Sequence, residues 1–171
     1  YLFSGRRWIH DMAAPRKIAG FNVLAKIGEG ARSTIYAVQD PKSKQVWALK
    51  HVELREEKDD RFLEQAQREF RIGSKLDHPA IRKLQKIIKT RKMFKVQSMA
   101  LIMELIDANT LDQQLPRSYG KACRVFVQVA EALEHMHERG YVHADMKPTN
   151  VLITEHEMVK VIDLGQACPI G

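Results

Sequence analysis

The sequence predicts an α+β fold in which a strand-rich segment with one helix precedes a helical segment. Three observations carry this reading. Apolar residues roughly alternate over 21–27, 34–39 and 45–52, the period of β-strands. The period becomes helical over about 55–76, then returns to strand over 81–89 and 94–105. Last, Ala122, Val125, Phe126, Val129, Leu133 and Met136 recur at the spacing of a long amphipathic helix.

In chain order, residues 1–20 have no clear period, and Arg6, Arg7 and Trp8 read as part of a loosely attached lead-in. The first strand breaks at a glycine stretch. The second and third flank Asp40-Pro41-Lys42-Ser43, which has hairpin-turn chemistry. In the helical window Phe62, Ala66, Phe70 and Gly73 fall along one side, and Asp77-His78-Pro79 is expected to end the helix. The basic run RKLQKIIKTRKMFK over 82–95 reads as a solvated strand edge. A linker is expected near 107–109, Thr110 is a candidate cap for a short helix, and Gly140 stops the long one. Short strands and turns (YV, VLIT, MVKVI) finish the chain.

With 171 residues, 44% hydrophobic and 29% charged, the chain is long enough for one domain with a core and too apolar to be mostly disordered. A net charge of +7 suits a polyanionic ligand. The basic residues are spread along the chain rather than gathered in one arm, so a nucleotide is expected and a nucleic-acid partner is not. Cys123 and Cys168 stand far apart, outside any CxxC pattern, which argues against a disulfide framework or zinc site and for a reducing compartment. His135 and His137 are two apart, a spacing that does not share a helix face and so does not suit a metal. There is no membrane-spanning segment in these residues and no signal-peptide pattern; a cytoplasmic protein, or the cytoplasmic domain of a longer one, is expected. Composition sets no oligomeric state.

The chemistry-bearing residues come in a definite order. Ile27-Gly28-Glu29-Gly30-Ala31-Arg32-Ser33 places glycines between two strands, where backbone N–H groups can approach phosphate oxygens. The next strand ends Ala48-Leu49-Lys50, an apolar strand carrying one cation. Glu69 lies on or beside the apolar face of the following helix; it reads equally as an exposed helix charge or as a carboxylate needing a cation, for which Lys50 is the candidate. His143-Ala144-Asp145-Met146-Lys147-Pro148-Thr149-Asn150 packs an acid, a base and an amide into one loop after the long helix. Asp163 follows the apolar strand 159–162 and precedes Leu164-Gly165. Two acids and an amide from adjacent loops can hold Mg2+ against phosphate oxygens.

Over about residues 21–171 this set resembles a eukaryotic-type protein kinase domain of the Ser/Thr class, with its glycine-rich loop, strand lysine, helix glutamate, catalytic loop and DLG in family order. The resemblance implies a five-stranded antiparallel sheet with one major helix (21–106, the N-lobe), followed by a hinge and the first part of a mainly helical lobe (107–171). It implies ATP and Mg2+ as cofactors and a protein substrate with a Ser or Thr hydroxyl. Ile27, Gly28, Glu29 and Gly30 would cover the phosphates, and Lys50 would pair with them and with Glu69. Ile35 and Ala48 would lie above the adenine and Leu152 below it. Met103 would be the gatekeeper, and the backbones of Glu104 and Ile106 would bond the adenine edge. Asp145 would orient the attacking hydroxyl and take its proton, Lys147 would steady the phosphoryl group, and Asn150 and Asp163 would hold the metal. Lys147 with Pro148 is similar to Ser/Thr rather than Tyr kinases.

The departures from the pattern carry expectations of their own. Ala144 stands where many kinases have the arginine that reads an activation-loop phosphate, so activity without that phosphate is expected. Leu164 replaces the Phe of DFG, and Ser33 the third glycine. Gly73, one turn beyond Glu69, is expected to leave a gap and a mobile glutamate helix. The chain finishes six residues after Gly165 and is expected to be an incomplete, by itself inactive catalytic domain that exposes apolar surface on the long helix. A pseudokinase or nucleotide-binding interaction module is the alternative, and a small-molecule kinase a further one.

Overall fold

The computed structural model describes residues 15–30, 32–54 and 60–171. Arg6, Arg7, Trp8, Ala31 and the opening of the helical window at 55–59 lie outside the described residues. Two compact units result, one comprising the chain up to Gln67 with Leu84–Leu105, the other Arg68–Lys83 with Ile106–Gly171.

The first unit is built on an antiparallel sheet of six strands: β1 (Lys17–Ile18), β2 (Phe21–Glu29), β3 (Ser33–Gln39), β4 (Val46–Glu53), β5 (Leu84–Lys92) and β6 (Lys95–Met103), in the order β1-β2-β3-β4-β6-β5. The five expected strands are present, and β1 adds a two-residue sixth. Ile18 is buried in the core with Phe21, Val38, Leu49, Ala100 and Ile102. The β3–β4 hairpin forms as its turn residues require. Asp40 Oδ1 accepts from the N–H groups of Lys42 (2.8 Å) and Ser43 (3.1 Å), a side chain standing in for a backbone turn. Pleating then sorts the residues. Val52 and Met99 on one face pack with Leu63 and Ala66 of helix α1 (Asp60–Gly73), while Leu49 and Ile102 face the other core.

Helix α1 buries Leu63, Ala66, Glu69, Ile72 and Gly73, while Phe62 and Phe70 are only half-buried. It stops at Gly73, before the Asp77-His78-Pro79 turn, so Gly73 is the last residue of the helix and not an interior one. The penalty for glycine in mid-helix therefore does not arise. Neighbouring Ile72 and Leu76 share one core with Leu164, Ala132, Met136 and Val161 in the second unit. The turn after the helix docks on helix α2 (Tyr119–Glu138): the Asp77 N–H donates to His135 Nε2 (3.3 Å), and the His135 ring tilts against that of His78.

In α2 the buried stripe is Val125, Val129, Ala132 and Met136. Phe126 is 60% exposed: one residue on from Val125, it turns about 100° off the stripe. Ser118 Oγ caps the helix by accepting from the Lys121 N–H. Gly140 ends it with φ +77° and no atom within 4 Å of where a Cβ would stand. Gly140→Ala should therefore destabilise by about 1 kcal/mol through backbone conformation alone, measurable in a denaturant titration as a lower midpoint with unchanged slope.

Thr110 caps no helix. It lies in β7 (Asn109–Thr110), and its carbonyl accepts from Gln113 and Gln114 in a turn. Strands β7, β9 (Val151–Ile153) and β10 (Val159–Val161) form a small antiparallel sheet; β8 (Tyr141–Val142) pairs with β11 (Cys168–Pro169). The β9–β10 turn is held on α2 by Glu157, which accepts from Arg124 Nη2 (2.9 Å) and ion-pairs with Lys121. Gln128 links the same turn to α2 by donating to the Glu157 carbonyl (3.0 Å) and accepting from the Val159 N–H (3.0 Å).

Candidate active site

In the first unit, strand register puts several expected residues on one face of the sheet. Ala48 pairs across to Ala37 and Met103, and Lys50 to Ile35 and Leu101, so Ile35, Ala48, Lys50 and Met103 share the face that carries α1. Ala25 pairs with Ala37 in turn. The row Ala25-Ala37-Ala48 is all small side chains and makes a shallow, flat floor beside Met103. Ala25 and Ala37 are not among the expected site residues; their only signal in the sequence is alanine at two strand positions.

The glycine loop separates into two requirements. A Cβ at Gly30 would come within 2.9 Å of Ser33 Oγ, and the Gly30 N–H donates to the Ser33 carbonyl at 2.7 Å. Glycine there serves the chain's own tight turn. A Cβ at Gly28 would meet Ile35 at an ordinary 3.6 Å, so nothing within the fold excludes a side chain. Its absence keeps the strand backbone open to close approach from outside. Ile27 falls in a register irregularity between Lys26 and Gly28, and the Glu29 carboxylate ion-pairs with Lys26 Nζ at 2.8 Å.

In the second unit Glu69 is only 3% exposed, which removes the reading of it as a surface charge. Leu152 is buried in β9 next to the loop that precedes it. Glu104 and Ile106 are half-buried, at the end of the first unit and the start of the second.

The loop 143–150 is the densest polar constellation of the second unit. It leaves β8 through Ala144, a non-glycine residue at φ +59°, and ends in a single 3-10 turn, Pro148–Asn150, whose proline suits the first position because it needs no N–H partner there. Lys147 Nζ donates to Asp145 Oδ2 at 2.8 Å. Asn150 Nδ2 donates both to that oxygen (3.1 Å) and to the Asp145 carbonyl (2.8 Å). The amide nitrogen is thus committed to Asp145, and Oδ1 is the atom left for a hard cation.

His143, 2% exposed, supports this loop from beneath. Its Nδ1 accepts from the Asp145 N–H (3.3 Å) and its Nε2 donates to the Ile162 carbonyl (3.0 Å). The two contacts together require the neutral tautomer protonated on Nε2. Ile162 in turn donates its N–H to the Asn150 carbonyl at 2.9 Å. Because β9 and β10 are antiparallel with Val151 opposite Val161, the residue before one strand and those after the other emerge at the same end. Asp163 follows directly, in the left-handed conformation at φ 60° and ψ 71°. A carboxylate from Asp163 and an amide oxygen from Asn150 are hard oxygen donors of the kind Mg2+ takes. Leu164 faces the core, so the apolar exchange in DLG is a packed one.

The Lys147 hydrogen bond holds the Asp145 carboxyl below the ordinary carboxylate range, with the Lys147 charge and the Asn150 hydrogen bond adding to it against desolvation. The same bond to Asp145 raises Lys147. Asp145 is accordingly ionised at neutral pH and available as a hydrogen-bond acceptor. Lys147→Ala should move its titration upward, followed by carboxyl carbon shifts in an NMR pH series; no movement would show the ion pair to be unformed in solution. A carboxyl depressed in the folded state adds stability above the unfolded value, lost as pH falls through the folded one. The substitution should therefore flatten the acid limb of the stability curve.

A family model for the protein kinase domain matches residues 21–171. Cyclin-dependent kinase-like 4 of Mus musculus is 34% identical over 153 residues, covering 86% of this chain and 42% of its own. A probable serine/threonine-protein kinase of Arabidopsis thaliana is 34% identical over 161 residues, 90% of this chain and 21% of its own. A probable serine/threonine-protein kinase of Streptomyces coelicolor is 29% identical over 167 residues, 94% of this chain and 24% of its own. The chain thus spans less than half the length of each of these relatives.

Proposed function

The chain belongs to the protein kinase domain family, and from that premise we propose that it is the nucleotide-binding and catalytic-loop part of a serine/threonine protein kinase that uses Mg-ATP. The observation that carries this reading is the Asp145 cluster, an ionised carboxylate bonded by a lysine and an amide of its own loop. Phosphoryl transfer asks the protein mainly for positioning and charge stabilisation, and this loop supplies both.

Asp145 orients the hydroxyl of a serine or threonine and accepts its proton at the carboxylate. Lys147 leaves part of its bond with Asp145 to steady the transferred phosphoryl group as a point charge. Asn150 and Asp163 would hold Mg2+, which when bound neutralises phosphate charge. Gly28 and Gly30, with Ile27 and Glu29, form the phosphate-covering strand turn. Ile35, Ala48 and Met103, which share one face of the first unit's sheet, and Leu152 in β9 are the residues that the family pattern gives to the adenine, with Glu104 and Ile106 offering backbone groups to its edge. Lys50 and Glu69 stand as the lysine and glutamate of the motif set. Lys147 and Pro148 support a Ser/Thr rather than a Tyr acceptor.

Incubation of the full-length protein with Mg-ATP and a generic protein substrate, with the phosphate located by mass spectrometry, tests this. Phosphoserine or phosphothreonine is the expected product. Nucleotide binding without any transfer would replace the reading by that of a pseudokinase, and phosphate delivered only to small molecules would also overturn it.

A further inference from the structure

The β5–β6 hairpin has a composition and a shape that the nucleotide chemistry does not use. Across residues 82–95 there are seven basic residues and no acidic one. The two strands join through a two-residue turn at Met93 and Phe94, because Lys92 pairs directly with Lys95. Both turn residues have positive φ, +46° and +71°. Asn-Gly is the favoured pair for such a turn, and large side chains are disfavoured in the left-handed region. Met93 and Phe94 are nevertheless 86% and 101% exposed, an apolar wedge at the apex.

Five of these seven lie on the two strands, in two groups. Lys86 lies over the Phe21 ring, 4.9 Å from its centre, and Lys89 Nζ donates to Gln67 Oε1 at 2.9 Å, so both are engaged by their own unit. Arg91, Lys92 and Lys95 form an exposed collar below the apex. Lys92 and Lys95 face each other across the ladder, a like-charge pair that is unfavourable in isolation and is relieved by an anionic surface. Protection of an edge strand accounts for lysines along β5. It does not account for Met93 and Phe94 at the tip, which expose apolar side chains and protect no ladder hydrogen bond.

We propose that this hairpin is a docking tip for an anionic membrane surface, with Met93 and Phe94 entering the headgroup boundary and Arg91, Lys92 and Lys95 meeting lipid phosphates and carboxylates. The convex apex offers no groove for a peptide. A single aromatic ring gives no stacking platform for successive bases of a nucleic acid. An apolar tip above a basic collar is the arrangement that an interface, apolar within and anionic outside, satisfies at both levels. Among the described residues no helix is long and apolar enough to cross a membrane.

Sedimentation of the full-length protein with vesicles of phosphatidylcholine and phosphatidylserine, beside vesicles of phosphatidylcholine alone, tests this. Binding is expected only where phosphatidylserine is present and should weaken as salt rises. The triple substitution Arg91→Gln, Lys92→Gln and Lys95→Gln should lower partitioning about 100-fold, roughly fivefold per charge. Met93→Ser with Phe94→Ser should lower it about tenfold or more. Neither set touches the core, and circular dichroism checks that each variant folds. A Phe94→Trp variant should show a blue-shifted emission on phosphatidylserine vesicles. Absence of binding, equal binding to both vesicle types, or binding indifferent to the tip substitutions would overturn the proposal. Retention by a single-stranded oligothymidylate through the same residues, without vesicle binding, would also overturn it and favour a nucleic-acid surface.

Discussion

Asp145→Asn should lower phosphoryl transfer by about 10²–10⁴-fold while leaving nucleotide affinity nearly unchanged. The substitution keeps the side chain's shape and one acceptor oxygen for Lys147 and Asn150, so the loop should remain folded. What it removes is the charge that orients and deprotonates the attacking hydroxyl. An interaction of that kind acts at the reacting centre, and its loss appears in kcat with little change in the KM for ATP. Lys147, raised by its bond to Asp145, should at the same time relax toward an ordinary lysine. Single-turnover transfer and calorimetric nucleotide binding separate the two effects. Transfer by the variant at the wild-type rate would remove Asp145 from the chemistry, whatever the cluster looks like.

Much of the architecture was legible because it depends on local rules. The hairpin at Asp40 follows from one carboxylate satisfying two backbone donors, and α2 from an apolar stripe bounded by Ser118 and Gly140. What was not legible depends on partners distant in sequence. β1 is two residues long, too short to display a period, and only pairing with Phe21 and Asn22 makes it a strand. The strand reading over 81–89 places Ile81 at the start of β5, which begins at Leu84. The partner of Ile81 is instead Val161, in an isolated parallel bridge of the second unit. Phe126 counts as apolar in any stripe, and only the packing of α2 shows that its direction misses the core.

The candidate site divides the same way. Residue types and order were enough to single out Asp145, Lys147, Asn150 and Asp163, because a polar loop after a long helix and an acid after an apolar strand are visible in one dimension. That β9 and β10 are antiparallel, and so deliver Asn150 and Asp163 to one end of a small sheet, is a three-dimensional fact. The division of labour between Gly28 and Gly30 was equally hidden, since both are simply glycine until Ser33 is seen too close beside one of them and Ile35 at ordinary contact distance beside the other. The role of His143 had no sequence signal beyond its position two residues before Asp145.

That histidine makes the second large expected effect. His143→Ala should destabilise the protein by about 2–5 kcal/mol, read as a lower denaturant midpoint. The Ile162 carbonyl and the Asp145 N–H would each lose a buried partner, and unsatisfied buried groups cost about 1–3 kcal/mol apiece. The ring's volume in the core is lost as well. Transfer measured on the fraction that remains folded should also fall, because the backbone of Asp145 is tied to that of Ile162, and hence to Asn150 and the approach to Asp163, through this one ring. A structural residue without that positioning role would lower stability and leave the rate of the folded fraction intact. His143→Gln, able to restore one of the two bonds, should recover part of both losses together. Recovery of stability without any recovery of rate would show that the ring holds the core and not the catalytic loop.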